Sequence, residues 1–308
     1  MNDNDAIEHL QQSDQYRVIQ RLTATERYTE GAPTTPRIGL VIDTEATGLD
    51  TTADTIIELG FVAFEYDAST GLIYRILHTY DDFEDPGKPL EEVIKQITGI
   101  TDEMLTGKRL DDNEINTWLE KADLIIAHNA AFDRQMMERR LPKTVDTNWA
   151  CTFNNINWKD ENVSSHKLDY IAYRLGFYFD GHRADNDAQA TLHLLTRALP
   201  ESNKLAMSAL LASAREKSFR LSAVHAPFEK KNELRAHGYF WLPAYAYTDR
   251  YNKPKKGVWS KSVSEPDLES EKAWLIEHVY GGKEGLFNCK EIAPKDRYSL
   301  REFQSEAS

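Results

Sequence analysis

The sequence predicts an α/β domain followed by a small C-terminal α+β module, and three observations carry that expectation. Between residues 37 and 200, short runs of β-branched and aromatic residues alternate with stretches of helical periodicity, as strands interleaved with helices require. Pro200 closes that alternation. From His225 onward the chain turns rich in Lys, Arg and aromatic side chains, a compositional shift that marks a second folding unit. With 308 residues the chain is long enough to give each unit a core.

Residues 1–36 read as an N-terminal extension: a weakly helical polar run over 6–28, then Gly31-Ala-Pro-Thr-Thr-Pro36, which breaks helices. The apolar run at 38–42 and the β-rich runs at 55–65 and 72–79 predict three successive strands, which suggests a sheet edge. Residues 90–98 and 111–121 follow as helices, 124–127 as a buried strand, and 131–140 as a helix stopped by Leu141-Pro142. Amphipathic helices are expected over 167–175, capped by Gly176, and over 186–198. A helix over 203–220 serves as a linker (201–224) to the accessory module at 225–308, where the order helix, strand, strand, helix is expected.

Composition excludes several classes of function. The formal net charge is −13, from 37 Lys and Arg against 50 Asp and Glu, so no global basic field exists to hold long duplex. Cys151 and Cys289 are far apart and form no CxxC pair, which argues against a disulfide framework or zinc ribbon and fits a reducing compartment. The acidic N-terminus lacks an apolar signal core, and no stretch approaches the roughly 18 apolar residues of a membrane span, so a cytoplasmic protein is expected. One local exception to the acidity stands out. Residues 225–264 carry eight basic side chains against three acids, a local +5 that leaves the rest of the chain at about −18.

Three places along the chain carry chemistry. The first apolar strand runs into Asp43-Thr-Glu45-Ala-Thr-Gly48, and carboxylates two residues apart on a strand share a face, where one divalent ion can bridge them. A capping Asp beside a surface Glu is the plain alternative. After the buried strand, His128-Asn-Ala-Ala-Phe-Asp133 places Asp133 at a helix start, where it either serves the site or complements the helix dipole. The third place is His182-Arg-Ala-Asp-Asn-Asp187. Asp187 lies on the same side of its helix as Ala190, Thr191 and Leu194 and so faces inward, where a buried carboxylate needs a partner. His182, on the preceding loop, has the chemistry of a general base for an attacking water. Taken jointly, four acids and one histidine at two strand ends and two helix starts supply what a two-metal phosphodiester hydrolase requires.

This set resembles the DEDD superfamily of 3′→5′ exonucleases in its His-containing, DnaQ-like branch, the family of the proofreading epsilon subunit of bacterial DNA polymerase III. The family's DxExTG, second-motif Asp and HxxxxD read here as Asp43 to Gly48, Asp133, and His182 to Asp187; Arg183, rather than Tyr, stands where the tyrosine branch would differ. Ile97-Thr-Gly-Ile-Thr-Asp-Glu-Met-Leu105 and the helix from Ser165 to Gly176 resemble the family's intervening segments. The resemblance spans roughly residues 37–200. It implies a ribonuclease H-like fold, a mixed five-stranded sheet flanked by helices. It also implies that Asp43, Glu45, Asp133 and Asp187 hold two Mg²⁺, with Mn²⁺ as substitute, and that His182 is the base. The Thr47-Gly48-Leu49 turn would cradle a 3′-terminal nucleotide, and Asn129 and Phe132 would touch the scissile region, with core packing the alternative for Phe132. Arg183 would meet a phosphate or only solvent.

The expected activity is metal-dependent 3′→5′ hydrolysis of single-stranded or frayed DNA ends, releasing nucleoside monophosphates in repair or editing. An RNA exonuclease of the same fold and a non-catalytic binding module are the alternatives. DNA 3′ ends are favoured over RNA as partner, and no membrane is expected. In the C-terminal module, basic side chains interleaved with Tyr239, Phe240, Trp241, Tyr245, Tyr247, Tyr251 and Trp259 suit phosphate tracking with base stacking. A small domain's own core, or a protein-partner surface, would use the same residues.

Overall fold

The computed structural model describes residues 3–23, 25–242 and 257–303 and divides the chain into two compact units, Met1–Ser213 and Ala214–Ser308. In the first unit the elements run α1 (Asp3–Gln11), β1 (Gln20–Arg21), β2 (Pro36–Ala46), β3 (Ile56–Asp67), β4 (Ile73–Phe83), α2 (Glu92–Thr98), α3 (Asp102–Leu105) and α4 (Asp112–Lys121). They continue through β5 (Leu124–Ala127), α5 (Ala130–Arg140), β6 (Trp149–Cys151), α6 (Leu168–Arg174), β7 (Phe177–Tyr178), α7 (Ala184–Leu195) and α8 (Ala206–Arg215).

A mixed five-stranded sheet in the order β4-β3-β2-β5-β6, flanked by helices, gives the ribonuclease H-like fold. The meander β2-β3-β4 is antiparallel, whereas β5 and β6 join β2 in parallel. β2 is therefore the central strand, and Leu40, Val41 and Ile42 are buried in succession because helices cover the sheet. α5 packs against β2, β5 and β6, and α7 against β2 and β3. Local chemistry sets the ends: Asp111 caps α4 by accepting from the amides of Asn113 and Glu114, and Gly99 closes α2 in the left-handed conformation.

One expectation for this unit needs correction. The helix expected over 6–28 is confined to Asp3–Gln11. Beyond it the chain is bound to the first unit, since β1 pairs in parallel with β7 and the amides of Tyr28 and Ile76 bond to Tyr74 and Glu26 carbonyls. Backbone pairing outcompetes a polar helix too weak to bury a face.

The second unit contains β8 (Ser218–Ala223), α9 (Lys231–Ala236), β9 (Phe240–Leu242), β10 (Val258–Ser264), α10 (Leu268–Trp274) and β11 (Asn288–Ile292). Its antiparallel sheet has the order β11-β8-β10-β9. Leu221, Leu234, Tyr239, Val263, Leu275 and Val279 form its core. The helix expected over 203–220 ends at Arg215, and the residues after it become β8, the strand flanked by β10 and β11. The unit accordingly begins before the boundary expected at 225. Tyr239, Phe240, Trp241 and Trp259 are described; Tyr245, Tyr247, Arg250, Tyr251, Lys253, Lys255 and Lys256 lie outside the described residues.

Candidate active site

The end of β2 sets the site. Its pairing with β3 places Asp43 opposite Gly60 and Glu45 opposite Glu58, and strand alternation directs Asp43 and Glu45 to one face. α7 delivers Asp187 to that face. Asp43, Glu45 and Asp187 each offer a carboxylate oxygen within 4.8 Å of the others, a spacing fit for a shared divalent ion. Asp133 stands beside this group without joining it by that measure. It is 3% exposed, and its Oδ1 accepts from both the amide (3.0 Å) and the hydroxyl (2.8 Å) of Thr44.

α7 reaches the sheet through a missing side chain. A Cβ at Gly60 would lie 2.3 Å from the Ala184 carbonyl carbon, so only glycine lets the helix start rest on β3. His182 precedes this start with φ 65°, a left-handed conformation that strains a non-glycine residue, and its side chain is exposed. The Arg183 amide donates to Asp187 Oδ2 at 3.2 Å.

Electrostatics follow from crowding. Burial, then the charges of Asp133, Asp187 and Glu45, push the Asp43 carboxyl well above its ordinary range. Burial raises Glu45 to about 8, with Asp187 the next cause. Asp133 rises to about 7 and Asp187 to about 6, again mainly by burial, while backbone amides of Arg183 and His182 pull Asp187 back. No Lys or Arg ion-pairs with Asp43, Glu45 or Asp187 among the described residues. Buried oxygens that repel one another and lack a resident cation fit divalent metal, the hard cation such ligands select.

The substrate-side candidates occupy defined places. Asp54 braces the first turn: its Oδ1 accepts the Thr47 hydroxyl at 2.8 Å and its Oδ2 the Asp50 amide at 2.9 Å. A Cβ on Gly48 would collide with that carboxylate, and Leu49 projects 87% exposed. Asn129, at φ 69°, starts α5, and Phe132 is half-buried. His128 is no base. Its Nδ1 meets the Thr152 hydroxyl, its Nε2 meets the His166 carbonyl, and burial lowers its pKa to about 4, leaving the ring neutral.

Two functional candidates escaped the sequence reading. Glu58 is fully buried on β3, where its Oε1 binds Arg183 Nη2 at 2.6 Å. Arg183 is thereby paired with Glu58, with Asp81 at 3.9 Å, so of the two expectations the one of solvent alone is corrected. A lone acid inside the apolar run Ile56-Ile-Glu-Leu-Gly-Phe-Val-Ala-Phe64 was the available signal. Asp54 was the other, an acid placed to close a turn.

The exonuclease family model of RNase T matches residues 40–195, half of the chain, and contains all five motif residues. The chain belongs to the RNase T exonuclease family. It is a DnaQ-like hydrolase of phosphodiester bonds, in a family that depends on divalent metal. Over 177 residues this exonuclease is 29% identical to the PolC-type DNA polymerase III of Thermotoga maritima, covering 56% of this chain and 12% of that protein. The corresponding polymerase of Listeria welshimeri is 28% identical over 172 residues, 54% of this chain and 11% of that one. The chain thus spans a small fraction of the length of the polymerases it matches. Among solved structures, exonuclease X in complex with 5′ overhanging duplex DNA is 22% identical with a TM-score of 0.40, over 55% of this chain and 99% of that one. No described helix of the exonuclease is long and apolar enough to cross a membrane.

Proposed function

We propose that this exonuclease removes nucleoside monophosphates from the 3′ ends of single-stranded or frayed DNA, in repair or editing. The observation that carries the reading is the Asp43–Glu45–Asp187 group, three mutually repelling carboxylates within 4.8 Å of one another with which no Lys or Arg ion-pairs among the described residues. With Asp133 beside them, these residues would hold two Mg²⁺, or Mn²⁺. Divalent ions there supply Lewis acidity and neutralise charge on the scissile phosphate. His182, exposed at the rim, takes a proton from the attacking water through an imidazole nitrogen, so that hydroxide adds to phosphorus as the P–O3′ bond breaks. Water is consumed: the departing O3′ takes a proton from solvent, His182 returns its own to solvent, and a 5′-phosphate and a 3′-hydroxyl result.

The braced Thr47-Gly48-Leu49 turn presents backbone and the Leu49 side chain to the terminal nucleotide, with Asn129 and Phe132 toward the scissile bond. In the C-terminal unit, Phe228, Phe240 and Trp241 are exposed, Lys231 lies over the Phe228 ring and Arg235 over Trp259. Rings carrying cations suit a single strand, by stacking and phosphate attraction together. Trp241→Ala is expected to weaken single-strand affinity about 5- to 100-fold, the worth of one stacked base, without slowing single turnover at saturating substrate. Unchanged affinity would leave Trp241 to structure or to a protein partner.

The reading is tested with a 5′-labelled single-stranded DNA oligomer and its RNA twin in Mg²⁺, against EDTA and Asp43→Ala. A metal-dependent ladder shrinking from the 3′ end of DNA supports it. Cleavage of RNA alone moves the substrate to RNA, and no cleavage of either overturns the catalytic reading.

A further inference from the structure

Glu58 lies on β3 directly opposite Glu45, with 0% exposure. A carboxylate so buried is tolerated only when charge and hydrogen bonds compensate it. Both oxygens are engaged at the start of α7, and Asp81 on β4 also hydrogen-bonds this carboxyl group. Oε1 accepts from Arg183 Nε at 2.8 Å and lies 2.6 Å from Nη2, and Oε2 accepts the Ala184 amide at 3.0 Å. α7 has no side-chain cap from its own N-cap residue, Arg183, so a strand remote in sequence supplies that acceptor. Two residues along the same face of β3, Gly60 leaves the space in which Ala184 and Asp185 rest.

The segment His182–Ala184 is therefore held from two directions. Glu58 grips the Arg183 side chain and the Ala184 amide, while Asp187 grips the Arg183 amide. His182, the residue just before this grip, sits in a left-handed conformation that the surroundings must impose. We infer that Glu58 is a positioning residue for the reaction, acting through Arg183 and Ala184 to fix His182 beside the Asp43–Glu45–Asp187 group. This rests on the proposed role of His182 as base. Glu58 touches neither substrate nor reacting atoms; it sets the geometry of the group that does.

Glu58→Gln keeps the shape but turns an NH₂ toward a donor, either the guanidinium or the Ala184 amide, and so loosens one side of the grip. Single-turnover hydrolysis of a DNA oligomer at saturating Mg²⁺ is expected to slow by about 10- to 100-fold, the cost of a small misplacement, with KM for the oligomer unchanged. The deciding measurement repeats the substitution in a His182→Ala background. There Glu58→Gln should cost less than about 3-fold, because the group it positions is gone. An equal loss in both backgrounds, or no loss in the parent, overturns the inference. A His182→Ala enzyme of undiminished rate removes the base itself, and its distinct signature shows that the catalytic reading failed first. Should Glu58→Gln not fold, Arg183→Gln severs only the Oε1 arm and is expected to give the same pattern of loss and masking, its absence counting against the inference.

Discussion

Among the described residues, two groups of three acids lie side by side, and one of them holds a resident cation. Asp43, Glu45 and Asp187 form the first, Glu58, Asp81 and Asp185 the second, and in each the carboxylate oxygens lie within 4.8 Å of one another. The first takes two members from β2 and the second one each from the adjacent strands β3 and β4, and each takes its third from the first turn of α7. In the second, the Arg183 guanidinium binds Glu58 and approaches Asp81, so the protein supplies its own countercharge. Among the described residues no Lys or Arg ion-pairs with the first, and its carboxyls are driven upward by burial and by one another, with Arg183 at longer range only partly offsetting this at Glu45. Residue type and spacing do not distinguish the two groups. The location of the chain's own cation does.

The strongest test strikes the first group. Asp43→Ala should reduce Mg²⁺-dependent hydrolysis to the metal-free background while the protein stays folded, since one of several repelling charges is lost. Near-parental turnover in that variant would end the assignment. His182→Ala comes next, with an expected loss of roughly 10²- to 10⁴-fold in single-turnover rate and Mg²⁺ binding by calorimetry retained. Loss of Mg²⁺ binding instead would make His182 part of the ion site and blur the distinction between base and ligands.

The contrast also explains what could be read from the sequence. Asp43, Glu45, Asp133, His182 and Asp187 stood out in the sequence because they fall at the spacings of the family's motifs, and the fold brings Asp43, Glu45 and Asp187 together with Asp133 alongside. The strand at Leu124–Ala127 and the helix before Pro142 were legible for local reasons, an unbroken apolar run and a residue that cannot continue a helix. Glu58 was not, because its value lies in a partner 125 residues away that only the fold brings near. β8 failed in the same way: Ser218–Ala223 continues a helical periodicity on paper, but in the folded unit its two neighbouring strands decide its conformation.

Proton binding provides a third test. In metal-free protein the folded-state pKa values of Glu45, Asp133 and Asp187 are about 8, 7 and 6, above the ordinary carboxylate values of the unfolded chain. Between about pH 4 and 8 the folded state therefore binds more protons than the unfolded one, and stability must fall as pH rises. Thermal unfolding in EDTA should show Tm declining from pH 5 to pH 8, and added Mg²⁺ should raise Tm most at pH 8. A Tm that rises across this interval in EDTA would mean that the first group has an unrecognised countercharge.

The smallest expected effect tests the second group. Asp81 sits at its partly open rim, 3.9 Å from Arg183, whose main partner is Glu58. Such a contact is worth about 0–1 kcal/mol. Burial and the neighbouring acids raise the Asp81 carboxyl to about 7, so at pH 5 it is already protonated and Asp81→Asn changes little. At pH 8 the substitution removes a charge that Glu58 and Asp185 oppose, and Tm in EDTA should rise slightly, with hydrolysis in Mg²⁺ within about 2-fold of the parent. A large fall in rate or in Mg²⁺ affinity would show that the second group also serves an ion. Arg183 would then be sharing the site with a metal rather than standing in for one, and the line between anchor and ion site would move from the cation to the strand that bears the acids.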